Sequence, residues 1–258
     1  MDYQFISVER EGRLTVVTLQ RPEAYNALNY KAHEELQQAF DDFANDDEQW
    51  VAILTGSGAK AFCAGHDLKQ QADDANLGTP DKGFGGLASR FDLHKPVIAA
   101  VNGVAMGGGF ELALACDIIV AASNASFALP EAKVGLAALA GGMQRLPSLI
   151  GLKRSMGMLL TGRRVSATEG LQLGFVNEVV EGDVMGAARR WADDILSCSP
   201  LSVRATKEAV MRGLDVPVAQ ALAEQWDYPQ VQAMLKSQDA IEGPKAFAEK
   251  RPPRWQGR

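Results

Sequence analysis

The residues best suited to chemistry are three glycines and the glutamate behind them. Gly107, Gly108 and Gly109 follow the apolar run Val97–Val101 and lead into Phe110, Glu111, Leu112, Ala113 and Leu114. The run reads as a strand buried on both faces, started by Pro96, and the segment after the glycines reads as a helix. Glycines at a helix start leave unpaired N–H groups unscreened by side chains at the positive end of the dipole. Such a terminus suits an anion, or an oxygen on which negative charge develops. Glu111 follows Gly108 by about one helical turn, so a donor and a carboxylate converge. The glycines also serve close helix–strand packing on a simpler reading. No Gly-Lys-Ser/Thr follows, and the spacing with Gly103 is not G-x-G-x-x-G, so neither a phosphate loop nor a dinucleotide fingerprint fits.

The rest of the chain must position this point. At 258 residues it can bury a large core, with apolar and charged fractions of 47% and 22% that suit a globular protein. A net charge of −6 argues against general affinity for nucleic acid or anionic membrane. Cys63, Cys116 and Cys198 are widely spaced and suggest a reduced protein without disulfides, and His33, His66 and His94 are equally dispersed. Neither a signal peptide nor a membrane span is read, and the expected home is the cytosol.

Strands are expected at residues 5–8 and 14–19, joined as a hairpin through Glu11 and Gly12, and at 50–55, 118–121 and 126–129. Asn29 is a helix N-cap candidate for residues 30–45, where Leu36, Phe40 and Phe43 recur at helical spacing. The Gly-rich stretch at 70–86 reads as a mobile flap. Beyond Gly141, helices are expected over 149–160, 167–173, 184–197, 201–212 and 218–236, with strand only around 176–180. A boundary near Cys198 divides residues 1–197 from 198–258.

A second motif completes the first. Ala61-Phe62-Cys63-Ala64-Gly65-His66-Asp67-Leu68-Lys69 follows the strand at 50–55, and Phe127-Ala128-Leu129-Pro130-Glu131-Ala132 comes later. Arg21-Pro22 with Asn26-Ala27-Leu28, the run from Lys95 to Gly103, and Gly141-Gly142-Met143-Gln144-Arg145-Leu146 add to them. In this order and spacing the sequence resembles the crotonase superfamily, the enoyl-CoA hydratase/isomerase family, over essentially its whole length. It is most similar to enoyl-CoA hydratases and to carnitinyl-CoA dehydratases, the latter through Phe127 to Lys133 and Asp239-Ala240-Ile241-Glu242-Gly243-Pro244.

The resemblance implies an α/β fold, a crotonase-like spiral of ββα units with a C-terminal helical trimerisation region, assembled as trimers or hexamers. It implies that the backbone N–H groups of His66 and Gly108 hold the thioester oxygen of an acyl-CoA. The imidazole of His66 would then be incidental, its use as a general base being the rival reading. Glu111 and Glu131 would grip one water that adds at C3 of a trans-2-enoyl-CoA while a proton goes to C2. Having both glutamates favours a hydratase, since family isomerases often manage with one. Arg21, Ala24, His66, Asp67 and Leu68 would line the nucleotide side of CoA, with backbone groups near Ala64 and Leu68 at the adenine. Lys69 would lie near the phosphates, and Phe247 and Lys250 would cover CoA from the C-terminal segment, in some relatives from a neighbouring subunit. No metal or separate cofactor is implied, CoA being part of the substrate. One departure is the loop Gly135-Leu136-Ala137-Ala138-Leu139-Ala140, apolar and without the proline usual in hydratases, and no cage for a trimethylammonium group can be located. The rival functions are an enoyl-CoA isomerase on the same site and a non-catalytic subunit or RNA-binding protein of this fold.

Overall fold

The structure, a computed structural model, describes residues 3–67 and 80–258. The chain alternates between two sheets. Strands β1 (Ile6–Glu11) and β2 (Leu14–Leu19) form an antiparallel hairpin, and helix α1 (Tyr30–Asn45) follows. Then β3 (Val51–Gly56) joins the large sheet and β4 (Ala61–Cys63) the small one. The next turn repeats this with β5 (Val97–Val101) and β6 (Val104–Met106), and helix α2 (Gly108–Ala115). A third turn places β7 (Ile118–Ala122) and β8 (Ser126–Ala128). The six-stranded sheet has the order β1-β2-β3-β5-β7-β10 and the four-stranded sheet β4-β6-β8-β9, where β9 is Val165–Ser166 and β10 is Glu178–Val180. Both sheets are parallel across the repeating turns. This is the expected spiral.

Continuous apolar strands follow from burial on two faces. In β3, Ala52 and Leu54 face the core beneath α1 and α2, which contains Phe40, Phe62, Phe110 and Phe127. Val51 and Ile53 face a second core, closed by Ala187, Ala188 and Ala192 of the helix over Val184–Leu196. Asn29 caps α1 as its type predicts, its Oδ1 accepting from Ala32 N–H at 2.8 Å.

Several expected elements are corrected. The helix read over 149–160 is two, α3 (Gly142–Ile150) and α4 (Leu152–Thr161), because Gly151 adopts a φ of 82° that ends one helix and begins the next. After α5 (Ala167–Leu173), α6 (Val184–Leu196) and α7 (Pro200–Gly213), the helix read over 218–236 is also divided. It becomes α8 (Val218–Glu224) and α9 (Pro229–Leu235), since Tyr228 is held extended before Pro229. Strand β9 pairs with β8, so strand is not confined to 176–180 in the C-terminal part. The short strands β4 and β6 carry too few residues for an apolar period. Of the flap expected at 70–86, residues 70–79 lie outside those described. Its end is packed rather than loose: Phe84, Gly85 and Gly86 are buried, and a methyl group on Gly86 would strike Gln37 of α1.

Helix α10 (Gln238–Ala248) and the tail return to the core. Asp239 accepts from Gln256 N–H and Gly257 N–H, and Trp255 Nε1 donates to Ser197 O. Lys207 on α7 pairs with Asp117 at 2.7 Å, beside the start of β5.

Candidate active site

Three neighbouring parallel strands of the small sheet end at one place, and each supplies a part of the site. Gly65 and His66 follow β4, Gly107 and Gly108 follow β6, and Leu129 to Glu131 follow β8. Ligands in open parallel sheets bind outside the carboxyl ends of strands.

His66 forms a parallel bridge with Leu28, in which Leu28 N–H donates to Gly65 O at 2.8 Å and Asp67 N–H to Leu28 O at 2.9 Å. The pleat therefore turns the N–H of His66 itself to the opposite side. Gly108 is the first residue of α2, behind Gly107, whose φ of 55° bends the chain into the helix. Among the described residues, neither the His66 N–H nor the Gly108 N–H has a protein acceptor. They are brought close by Gly65, on which a methyl group would lie 3.1 Å from Gly108 N. The close-packing reading of the glycines also holds: a methyl on Gly109 would strike Cys63 of β4, and one on Gly108 would overlap the ring of Phe84.

The two glutamates differ in their partners. Glu111 on α2 is 3% exposed, and its Oε1 accepts from Gly142 N–H at 2.9 Å, at the N-terminus of α3. A methyl on Gly142 would lie 3.0 Å from Leu129 Cδ1, 3.1 Å from Ala138 Cβ and 3.1 Å from that same Oε1. Burial in this apolar wall, opposed by the Gly142 bond and helped by the charge of Glu131, pushes Glu111 up to about 7. Glu131 heads the short 3-10 turn Glu131–Val134. Both of its carboxyl oxygens are buried without a hydrogen-bond partner among the described residues, and burial raises its pKa too. Its Oε1 lies 3.2 Å from where a methyl on Gly107 would sit, beside the Gly108 donor.

The raised pKa of Glu111 has a stability consequence. The folded state holds this proton more tightly than the unfolded state, so stability is greatest below the ordinary value of 4.5 and falls as pH rises through about 7. Glu111→Gln, neutral throughout, is expected to lose that fall. Its unfolding free energy near pH 8 should exceed that of the unsubstituted protein by up to about 3 kcal/mol, the two converging near pH 4. Urea unfolding at both pH values measures this, and equal pH slopes in the two proteins would contradict the buried-acid assignment.

Of the residues read as CoA-binding, four come together. Arg21 Nη2 pairs with Asp67 Oδ2 at 2.9 Å, and Arg21 Nη1 donates to Ala27 O. Ala24 closes the turn Pro22–Ala24, and Ala64 N–H donates to Tyr25 O at 3.0 Å. Leu68 and Lys69 lie outside the described residues. Phe247 is 87% exposed near the end of α10, and Lys250 follows with a φ of 53°. Lys250 N–H donates to Phe247 O, closing the end of the helix. Asn26 was not singled out for a role, yet its buried amide donates to Ser57 O and Ala61 O and accepts from Arg21 N–H. Its αL conformation, φ 55°, is the signal an asparagine in a Pro-containing loop could have offered. Dispersal of the histidines in sequence is not dispersal in space: His33 Nε2 lies 3.4 Å from His66 Nδ1. Among the described residues no cluster of His, Cys, Asp and Glu could hold a metal ion.

Comparison with known proteins gives the family. The family model described as enoyl-CoA hydratase/isomerase matches residues 9–258. A carnitinyl-CoA dehydratase of Salmonella enteritidis PT4 is 47% identical over 98% of this chain and 98% of its own. An enoyl-CoA hydratase crystal structure from Mycobacterium tuberculosis superposes with a TM-score of 0.93 at 40% identity, covering 98% of this chain and 99% of that one. Another, from Bacillus anthracis, gives 0.89 at 37% identity over 99% and 100%. The chain belongs to the enoyl-CoA hydratase/isomerase family.

Proposed function

We propose that the protein catalyses the reversible hydration of a trans-2-enoyl-CoA thioester. The observation that carries this is the pairing of two unengaged backbone donors with two buried carboxyl groups of raised pKa. The N–H groups of His66 and Gly108 accept the thioester oxygen. Charge grows on that oxygen as water adds at C3, and fixed donors stabilise it more than the neutral carbonyl. Glu111 and Glu131 form a dyad sharing protons, since close carboxyl groups in an apolar wall do not both ionise freely. The ionised member takes a proton from water while the protonated member delivers one to C2. The opposite transfers run the dehydration.

Leu129 and Ala138 beside Glu111 favour an uncharged acyl group. The similarity to a carnitinyl-CoA dehydratase favours a second reading, the same chemistry on a trimethylammonium acyl chain. Enoyl-thioester absorbance, which falls as a short apolar enoyl-CoA is hydrated and rises as the carnitinyl-type thioester is dehydrated, separates the two. No turnover of any enoyl-CoA would sink both and revive the non-catalytic alternative.

Arg21, Ala24, Ala64 and Asp67 form the nucleotide side of the CoA groove, and the family resemblance assigns Leu68 to the adenine and Lys69 to the phosphates. Residues 198–258 serve assembly. Leu214, Val218, Leu222, Trp226 and Leu235 are exposed along α8, α9 and their flanks, whereas Val231 is buried with Ala205 and Tyr228. An apolar surface of this extent marks an interface. Trimers or hexamers are expected by light scattering at micromolar concentration, with Phe247 and Lys250 reaching a neighbour's CoA. A monomer would refute the assembly and remove these two residues from the site. No described helix is long and apolar enough to cross a membrane, and a cytoplasmic location fits the free cysteines Cys63, Cys116 and Cys198.

A further inference from the structure

Gly85, His33 and His66 form a chain of hydrogen bonds whose direction the backbone dictates. The Gly85 N–H can only donate, and its acceptor is His33 Nδ1 at 2.9 Å. In the neutral ring the proton of His33 is therefore on Nε2. That nitrogen faces His66 Nδ1 at 3.4 Å, so His66 accepts there and carries its own proton on Nε2. The two rings lie 5.6 Å apart and inclined by 20°. Burial keeps both neutral: His33 is wholly buried and pushed down to about 3, and His66 is lowered by the same cause. In this tautomer the His66 ring donates at Nε2 and has no free lone pair for a general base. Phe84 meets His33 edge-on at 4.5 Å, and its ring also covers Gly108. One packed group thus touches both positions that supply the oxyanion donors.

We propose that His33 is a positioning residue for the oxyanion site, acting through the His66 imidazole to hold the His66 N–H beside that of Gly108. The proposal rests on the reading of those two N–H groups as thioester donors. The peptide planes on either side of His66 are tied to Leu28 through Gly65 O and Asp67 N–H, and the ring contact adds a third anchor, on the side chain between them. A satisfied core histidine would instead stabilise the fold and leave the chemistry per folded site unchanged.

The test is a double-mutant cycle in the full chain with His33→Phe and His66→Phe, read by hydration kinetics and by the infrared carbonyl stretch of bound butyryl-CoA labelled with ¹³C at the thioester carbon. His33→Phe is expected to lower kcat on the order of tenfold with KM little changed, and to weaken the carbonyl red shift. In the His66→Phe background it should cost nothing further. His33→Gln, whose amide can accept from Gly85 and donate to His66, should restore most of the loss. Additive effects, or an unshifted carbonyl band in folded His33→Phe, would overturn the proposal. Should His33→Phe not fold, imidazole ¹⁵N spectra of the unsubstituted protein decide it: His66 protonated at Nδ1, or charged near neutral pH, overturns the relay. If bound butyryl-CoA shows no carbonyl shift in the unsubstituted protein, the oxyanion reading itself has failed, whatever the ¹⁵N spectra give, and the proposal falls with it.

Discussion

Glu111→Gln and Glu131→Gln are each expected to lower kcat by roughly 10²–10⁴, the range for a positioned acid–base group. Thioester affinity should change little, because neither carboxyl is asked to hold CoA. The substitution at 111 is conservative: a glutamine Oε1 can keep the bond from Gly142 N–H, now 2.9 Å long. What it removes is the proton traffic of a group poised at about 7. At 131 the two unpartnered carboxyl oxygens become one acceptor and one donor, so the grip on water changes sign on one side. The double variant should cost little more than either single one, since groups that serve one water act as a unit. Near-native hydration by either single variant would end the two-carboxylate mechanism. A variant that loses hydration yet still migrates the double bond would point to the isomerase.

Deleting the Gly108 donor should lower kcat by roughly 10²–10³, the cost of one oxyanion donor. Side-chain substitution is a poor tool here. A methyl at 108 would overlap the Phe84 ring, so even alanine, which keeps the N–H, disturbs the site. An ester in place of the Gly107–Gly108 amide, with glycolate at 108 introduced by semisynthesis, removes the N–H and adds no atom to that crowded side. The same exchange at Gly109 is the control. Its N–H is also without a protein acceptor among the described residues, but a methyl on Gly65 would lie 3.7 Å from it against 3.1 Å for Gly108 N. Equal losses at the two positions would overturn the assignment to Gly108.

Much of the architecture was legible in local patterns. Continuous apolar runs announced β3, β5 and β7 as strands buried on both faces, because a parallel strand between two cores has no polar side to show. Asn29 and the period of Leu36, Phe40 and Phe43 announced α1. Failures came where one residue's backbone overrode a period that continued across it, at Gly151 and at Tyr228 before Pro229. The small sheet was harder. Strands as short as β4 and β6 have no period of their own and exist because neighbouring turns of the spiral pair with them.

By itself the sequence determined which groups were available: three glycines at a helix start, a glutamate one turn on, a second glutamate in its own motif, and the ordered set of motifs that mark the family. Those are properties of residue type and short spacing, and they survive without coordinates. Only the tertiary structure decided what the groups can do. The ends of β4, β6 and β8 had to lie side by side before His66, Gly108 and Glu131 could stand at one place. Glu111 acquires its high proton affinity from burial among other turns of the chain and from the charge of Glu131. His33 reaches His66 across 33 positions, and Phe84 reaches Gly108 from a stretch read as loose. Proton affinity and donor direction depend on what surrounds a group within a few ångströms, and in a spiral of sheets those surroundings come from other turns of the chain.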